Sequence, residues 1–376
     1  MVANAKNWII LTVRDFFEVP ERYFLSHSVG CIPKSSQKAI SDHYFKPWGQ
    51  SGGNAWPGWL STLEEYRSKI GEMLGASSES MCPQINVSSA LTKILYSLPR
   101  QTSRNVILLS PHDFPTNGFV FKQAERSGYK LKFVEGDITD PQVWNKAIDS
   151  ATAIVHVTHA LSNTSHLLPV KEICEMARRK EAVSIVDIAQ SVGVVPIDLI
   201  DWNADFAIGT GVKFLCCGPG ACFLYASKQM LENCTPVDVG WFSHESPFEM
   251  DIRDFRYADN AMKFFGGTPS PAPFILANES LSLLQHIGLQ SIYETIQTSL
   301  SFLVEGLPKA ILKSPQANHA RGATMVVAPS NRDGLREALK IKNVLCDERA
   351  EGFRFSVHAY TSSSDLDDLR QAIKQS

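Results

Sequence analysis

One stretch of this chain concentrates residues able to do chemistry. VDIAQSVGVVPIDLIDWNADFAIGTGVKFLCCGPG (186–220) carries Asp187 at the end of one apolar run, with Gln190 just after it. Thr210 and Lys213 follow a second apolar run, and a glycine–proline loop, Gly218–Gly220, follows the lysine. A lysine enclosed by apolar surroundings is costly unless paired or neutral. A lysine so placed, beside a glycine-rich loop, is suited to Schiff-base chemistry with a carbonyl compound. The plainer alternative is a surface lysine and a strand-end aspartate that caps a turn.

Two further segments offer groups for a ligand. In QINVSSALTKIL (84–95), Ser88 and Ser89 stand at the expected start of a helix. Free N–H groups and the helix dipole there favour an anion such as phosphate, although a serine that merely caps the helix is common. In HDFPTNGF (112–119), Phe114 and Asn117 follow the strand-like run NVILLS, with Phe114 either facing a ligand or packed in the core. His156, His159 and His166 lie close in sequence without metal-ligand spacing, and no metal is expected. The 8 cysteines are scattered with no CxxC pair, as reduced and mostly buried thiols would be.

The elements that must position these residues alternate along the middle of the chain. Strand-like runs at 105–110, 130–136, 151–160, 182–190, 204–210 and 221–226 are interleaved with helical stretches at 115–127, after Pro141 and at 170–180. Apolar strands alternating with helices predict a mainly parallel sheet covered on both faces. Ligands bind such sheets beyond the carboxyl ends of the strands, where Asp187 and Lys213 fall. After the proline-rich break PSPAPF (269–274), helices over about 274–287 and 289–312 lead into a smaller α+β unit. That unit comprises 322–330, a helix near 331–340, 352–360 and a closing helix from Ser364. The expected division is an N-terminal segment, 1–45, packed on the small unit, a large domain over 46–268, and a small domain over 269–376.

Composition narrows the function classes. The chain has 376 residues, with 36 Lys and Arg against 39 Asp and Glu, for a net charge of −3. A near-neutral chain has no basic footprint for nucleic acid. Runs such as Val106–Leu109 are far shorter than the roughly 18 residues of a membrane span. The start, MVANAKNWIILTVRDF, lacks a basic region and a cleavage site, so no export signal is expected and a cytoplasmic location is. No GxGxxG or Walker sequence follows a strand, which disfavours a nucleotide-binding α/β protein.

The Asp187, Gln190, Thr210 and Lys213 pattern resembles the pyridoxal-phosphate (PLP) enzymes of the class V aminotransferase family, fold type I, and within it the kynureninase branch. The resemblance runs in order from about Tyr23 to Leu369. It implies an α/β fold of a large, mainly parallel domain and a smaller α+β C-terminal domain. It also implies a homodimer with shared sites and a small amino-acid substrate. Lys213 is then the Schiff-base residue, Asp187 the partner of the ring nitrogen, and Gln190 a contact to the phenolic oxygen. Phe114 stacks on the ring, and Asn117 makes a neutral contact where the branch has aspartate. Ser88, Ser89 and Thr210 are phosphate candidates. DVGWFSHESPFEMD (238–251) resembles a segment whose tryptophan reaches the phosphate, which points to Trp241. FGGTPSPAP (265–273) resembles one whose threonine reaches the neighbouring subunit's phosphate, which points to Thr268. Arg354, in GFRFSVHAY, occupies the position that binds the substrate α-carboxylate, a task suited to its planar fork. His27 and Ser28, in YFLSHSVGCIP (23–33), lie in a loop at the substrate mouth.

Two departures weigh on the reaction. The branch has a tyrosine directly before the Schiff-base lysine; this chain has Val212. It also has a histidine near the substrate ring, where WGQSGGNAWPGW (48–59) places Gln50. The expectation is therefore a PLP enzyme acting on an α-amino acid, most like a kynureninase-type hydrolase or lyase with a diverged pocket. A class V aminotransferase is the alternative. A cysteine desulfurase, with Cys346 ahead of the arginine motif, and a catalytically inactive PLP-binding relative are remoter ones.

Overall fold

The computed structural model describes residues 13–100 and 103–375. Residues 1–12, which include most of the start read above for an export signal and part of the N-terminal segment, lie outside them.

The large sheet has seven strands: β1 (Met81–Gln84), β2 (Val106–Leu109), β3 (Lys130–Phe133), β4 (Thr152–Thr158), β5 (Val183–Asp187), β6 (Phe206–Thr210) and β7 (Cys222–Ala226). Their order is β1-β7-β6-β5-β4-β2-β3. The run from β3 to β6 is parallel, and β7 is antiparallel to both its neighbours. Alternate side chains feed two cores. Ile154, Ile185 and Ile208 pack beneath the helices Val87–Ser97 and Pro115–Ala124. Val155, Val186 and Ala207 face the helices Trp56–Met73, Val170–Arg179 and Pro271–Ile287. Burial on both faces explains why these strands read as continuous apolar runs. β1 was not anticipated. It holds Pro83, and proline is tolerated because β1 is an edge strand.

The small sheet has the order β8-β10-β9, all antiparallel, with β8 Thr324–Val327, β9 Asp347–Arg349 and β10 Gly352–Ser356. Residues near the N-terminus run alongside it: Phe24 donates its N–H to Leu345 and accepts from Ser356. The helix expected over 289–312 ends at Val304, because Gly306 turns into positive φ and Pro308 cannot continue the hydrogen-bond ladder.

The β6–β7 connection carries Lys213 and is tightly closed. Gly211 donates to Ala221 and accepts from Cys217. A Cβ on Gly211 would lie 2.6 Å from that of Cys217. From the other side Gly30 donates to the Val212 carbonyl at 2.8 Å, and a Cβ there would lie 2.1 Å from the Lys213 carbonyl oxygen. The lysine backbone is thus gripped between the sheet and the N-terminal loop.

Candidate active site

The last residues of β4, β5 and β6 are Thr158, Asp187 and Thr210, and all three line one cavity. Phe114 and Thr116 enter it after β2, Ser162 after β4, Gln190 after β5, and Val212 and Lys213 after β6. Asn86 and Val87 close it at the start of the helix Val87–Ser97. This is the carboxyl-end crevice where the strand pattern placed a ligand.

Asp187 is buried, with only 4% of its surface exposed. One carboxylate oxygen accepts from the Ala189 N–H and the other from Asn117 Nδ2, each at 2.8 Å. The Lys213 side chain makes no hydrogen bond among the described residues, and its ammonium lies 5.3 Å from the centre of the Phe114 ring. Burial lowers its pKa; Asp187 opposes that shift, and Arg354 and Arg349 add to it. A lowered lysine pKa supplies free amine, the nucleophilic form.

The phosphate candidates do not share one wall. Thr210 lines the main cavity and accepts from the Val212 N–H and the Cys222 thiol. Asn86, not a serine, caps the helix: its side chain accepts from the Ser89 N–H and the Ser88 hydroxyl. Sequence reasoning passed over Asn86, although asparagine ahead of an apolar helical run is a strong cap signal. Ser89 and Thr268 line an adjoining hollow with Lys93 and Gly267. Trp241 donates to the Thr268 hydroxyl at 3.3 Å and borders a surface hollow of its own.

Five expected contacts lie elsewhere. Asn117 is fully buried behind Asp187 rather than in the cavity, because its amide is spent on that carboxylate. Arg354 is 1% exposed, and its fork is filled: two nitrogens pair with Asp347, directly across the β9–β10 register, and Nη1 donates to the Ser162 carbonyl. His27 is buried against the same carboxylate, with one ring nitrogen on Asp347 Oδ1 and the other on the Ser356 hydroxyl. Ser28 is exposed outside the cavity, and so is Gln50, on the short helix Lys46–Ser51. The guanidinium that approaches the cavity is that of Arg349, 6.0 Å from the Phe114 ring centre and half-buried. Burial and the two acidic neighbours Asp347 and Glu348 push the Cys346 thiol up to about 12, which suits an inert side chain. No metal-binding cluster and no disulfide occurs among the described residues. No helix there is long and apolar enough to cross a membrane.

The aminotransferase class-V family model matches residues 59–369. The chain belongs to this family. An uncharacterised aminotransferase of Bacillus subtilis is 27% identical over 93% of this chain and 92% of its own length. A kynureninase of Deinococcus radiodurans is 27% identical over 80% of this chain and 76% of its own length, which supports the kynureninase-like branch. The apo structure of a cysteine desulfurase from Thermococcus onnurineus superposes with a TM-score of 0.85, covering 96% of each chain at 20% identity, and shares the fold. The chain is a PLP-dependent enzyme of fold type I. The cavity fits that cofactor: an unpaired amine and a buried carboxylate served only by neutral donors face one space.

Proposed function

We propose that this enzyme transforms an α-amino acid in the manner of kynureninase-type hydrolases and lyases, with a different substrate side. The observation that carries the proposal is the convergence of Lys213 and Asp187 in one cavity at the strand ends. PLP supplies an electron sink for negative charge developing on substrate carbon. In this reading Lys213 binds the aldehyde carbon of the cofactor and moves the proton at the substrate Cα. Asp187 holds the proton on the ring nitrogen, Phe114 covers the ring, and Gln190 contacts the phenolic oxygen. Asn86, Ser88, Ser89, Thr210, Trp241 and Thr268 are the phosphate donors, Thr268 acting across a homodimer. Ser162 ties Arg354 to the cavity wall, with the rest of its fork held by Asp347. The division into 1–45, 46–268 and 269–376 and a cytoplasmic location belong to the same proposal. Supporting the first are the Phe24 bonds to the small sheet, and supporting the second are eight unpaired cysteines.

Val212 stands in the cavity wall beside Lys213, where it has no proton to give. General acid help is typically worth about 10²–10⁴-fold. L-Kynurenine turnover is therefore expected to be weak or absent. The test loads the protein with PLP, reduces with borohydride and maps the pyridoxyl label, expected on Lys213. The loaded enzyme then meets L-kynurenine, 3-hydroxykynurenine and a panel of amino acids, with and without a 2-oxo acid. A label on another lysine overturns the assignment. Efficient anthranilate release restores plain kynureninase activity, and a 2-oxo acid product formed only with an acceptor establishes an aminotransferase.

A further inference from the structure

Asp113, His156 and Asn117, outside the cavity lining, form a second set of polar groups that the reaction above does not use. Asp113 is held by three donors. Its Oδ1 accepts from the Thr158 hydroxyl at 2.7 Å, and its Oδ2 accepts from His156 Nδ1 at 2.9 Å and the Ser110 N–H at 3.2 Å. With both oxygens filled by donors, Asp113 is a carboxylate and His156 Nδ1 carries a proton. His156 is fully buried, and its Nε2 has no partner among the described residues.

Asn117 presents the complementary vacancy. Its Nδ2 must donate to the Asp187 carboxylate, which fixes the amide and leaves Oδ1 buried with no partner among the described residues. Asn117 bonds Asp187, and His156 lies within electrostatic reach of it. Thr158 pairs with Asp187 across β4 and β5, and His156 points to the same face two residues earlier. Phe121, one turn along the helix from Asn117, packs its ring 5.2 Å from that of His156. His159, whose N–H bonds the Asp187 carbonyl, stands instead against Trp202 at 4.7 Å. Buried polar atoms are seldom left unpaired, and a water with two to four polar neighbours is the usual remedy. A doubly protonated His156 offers a donor without an acceptor, and Asn117 an acceptor without a donor. Burial works against that protonation, but Asp113 and, further off, Asp187 favour it more, for a net raised pKa.

We propose that Asp113, His156 and Asn117 form a buried relay, closed by one water between His156 Nε2 and Asn117 Oδ1, that holds Asp187 as the carboxylate facing the cofactor ring. The proposal rests on the reading of Asp187 as the partner of the ring nitrogen. A donor on Asn117 Oδ1 polarises the amide and strengthens its bond to Asp187, as hydrogen bonds in a chain reinforce one another. These are positioning residues, acting on the cofactor only through Asp187.

The test uses full-length protein labelled with [15N]histidine, free of cofactor and then loaded with PLP. His156→Gln assigns the His156 signals among the ten histidines, and Asp113→Asn serves for assignment if that variant does not fold. His156 is expected to keep two N–H signals to a higher pH in the wild type than in Asp113→Asn. PLP is expected to shift the Nε2 signal in the wild type but not in Asn117→Ala. Asp113→Asn and Asn117→Ala are each expected to weaken PLP binding about three- to tenfold, and the double variant no more than the stronger single one, since members of one network are non-additive. Loss of the second N–H at the same pH in the wild type and in Asp113→Asn, an Nε2 signal indifferent to bound PLP, or fully multiplicative losses overturns the relay. Failure of PLP to bind at all overturns the reading of the site, and the relay with it.

Discussion

Asp187 in the large sheet and Asp347 in the small one are carboxylates drawn out of water and neutralised in opposite ways. Asp347 meets a cation and a buried ring: two nitrogens of Arg354 and the imidazole of His27, whose pKa burial lowers. Asp187, the more deeply buried of the two, meets only the Asn117 amide and the Ala189 N–H. The nearest ammonium, on Lys213, is within electrostatic reach but makes no bond to it. A buried charge without a cation is expensive, and such arrangements persist where a ligand supplies what the protein withholds. Asp347 stabilises this fold, whereas Asp187, in the function proposed above, is reserved for a partner that arrives with a proton on a ring nitrogen.

The comparison breaks most sharply at Asp187. Asp187→Asn is expected to lower turnover of the best substrate from the amino-acid panel by about 10²–10⁴-fold, because a neutral amide does not keep the ring nitrogen protonated. The cofactor-free protein is expected to hold its stability within about 1 kcal/mol. Asn117 has a spare carbonyl oxygen that can turn to meet the new amide. Urea unfolding of the cofactor-free variant beside its turnover checks both halves. A loss of several kcal/mol in the cofactor-free protein would make Asp187 a structural residue like Asp347.

The opposite outcome is expected at Asp347. Burial pushes its carboxyl up, but hydrogen bonds and charge from His27 and Arg354 pull it further down, leaving it well below the usual carboxylate range. A carboxylate depressed in the folded state stabilises above its unfolded pKa of about 3.9 and loses that contribution as pH falls towards the folded value. Asp347→Asn is expected to cost about 1–3 kcal/mol at pH 7, discounted because its side chain is 32% exposed. The gap between variant and wild type should narrow below about pH 4. Equal gaps at pH 7 and pH 3 in urea unfolding would sink this account.

The two aspartates also differ in how far the sequence reveals them. Asp187 closes an apolar run, and a residue at the carboxyl end of a parallel strand is placed by the alternation pattern alone. Lys213 and Thr210 are legible for the same reason. Asp347 is not, because its meaning depends on register: only the β9–β10 pairing sets it opposite Arg354. That pairing turns an expected substrate arginine into one already holding a carboxylate. Asn117 was misplaced in the same way, since nothing in HDFPTNGF says that the amide turns back under the sheet towards Asp187. His156 read as one histidine in a loose cluster until β4 put it across from Asp113. The succession of strands along the chain and side-chain periodicity are local properties of the sequence, whereas partner choice between polar side chains is set by tertiary packing.

The smallest expected effect lies farthest from both aspartates. Thr268 and Trp241 bond each other at the edge of an exposed apolar surface that includes Phe248, Met250 and Ile252. If Thr268 serves the phosphate of a neighbouring subunit, Thr268→Ala should weaken PLP binding by several-fold, since a hydrogen bond to a charged group is worth about 1.5–3 kcal/mol and part of that is recovered from water. Subunit mixing separates a shared site from a private one. In a dimer of one Lys213→Ala chain and one Thr268→Ala chain, a shared arrangement unites the intact Lys213 of one chain with the intact Thr268 of the other. One of its two sites then binds PLP with wild-type affinity. A private arrangement leaves every site carrying one of the two lesions. Recovery of wild-type affinity in a fraction of sites on mixing, read by PLP titration, is the expected result. A mixture no better than its two components would place Thr268 on its own subunit's site.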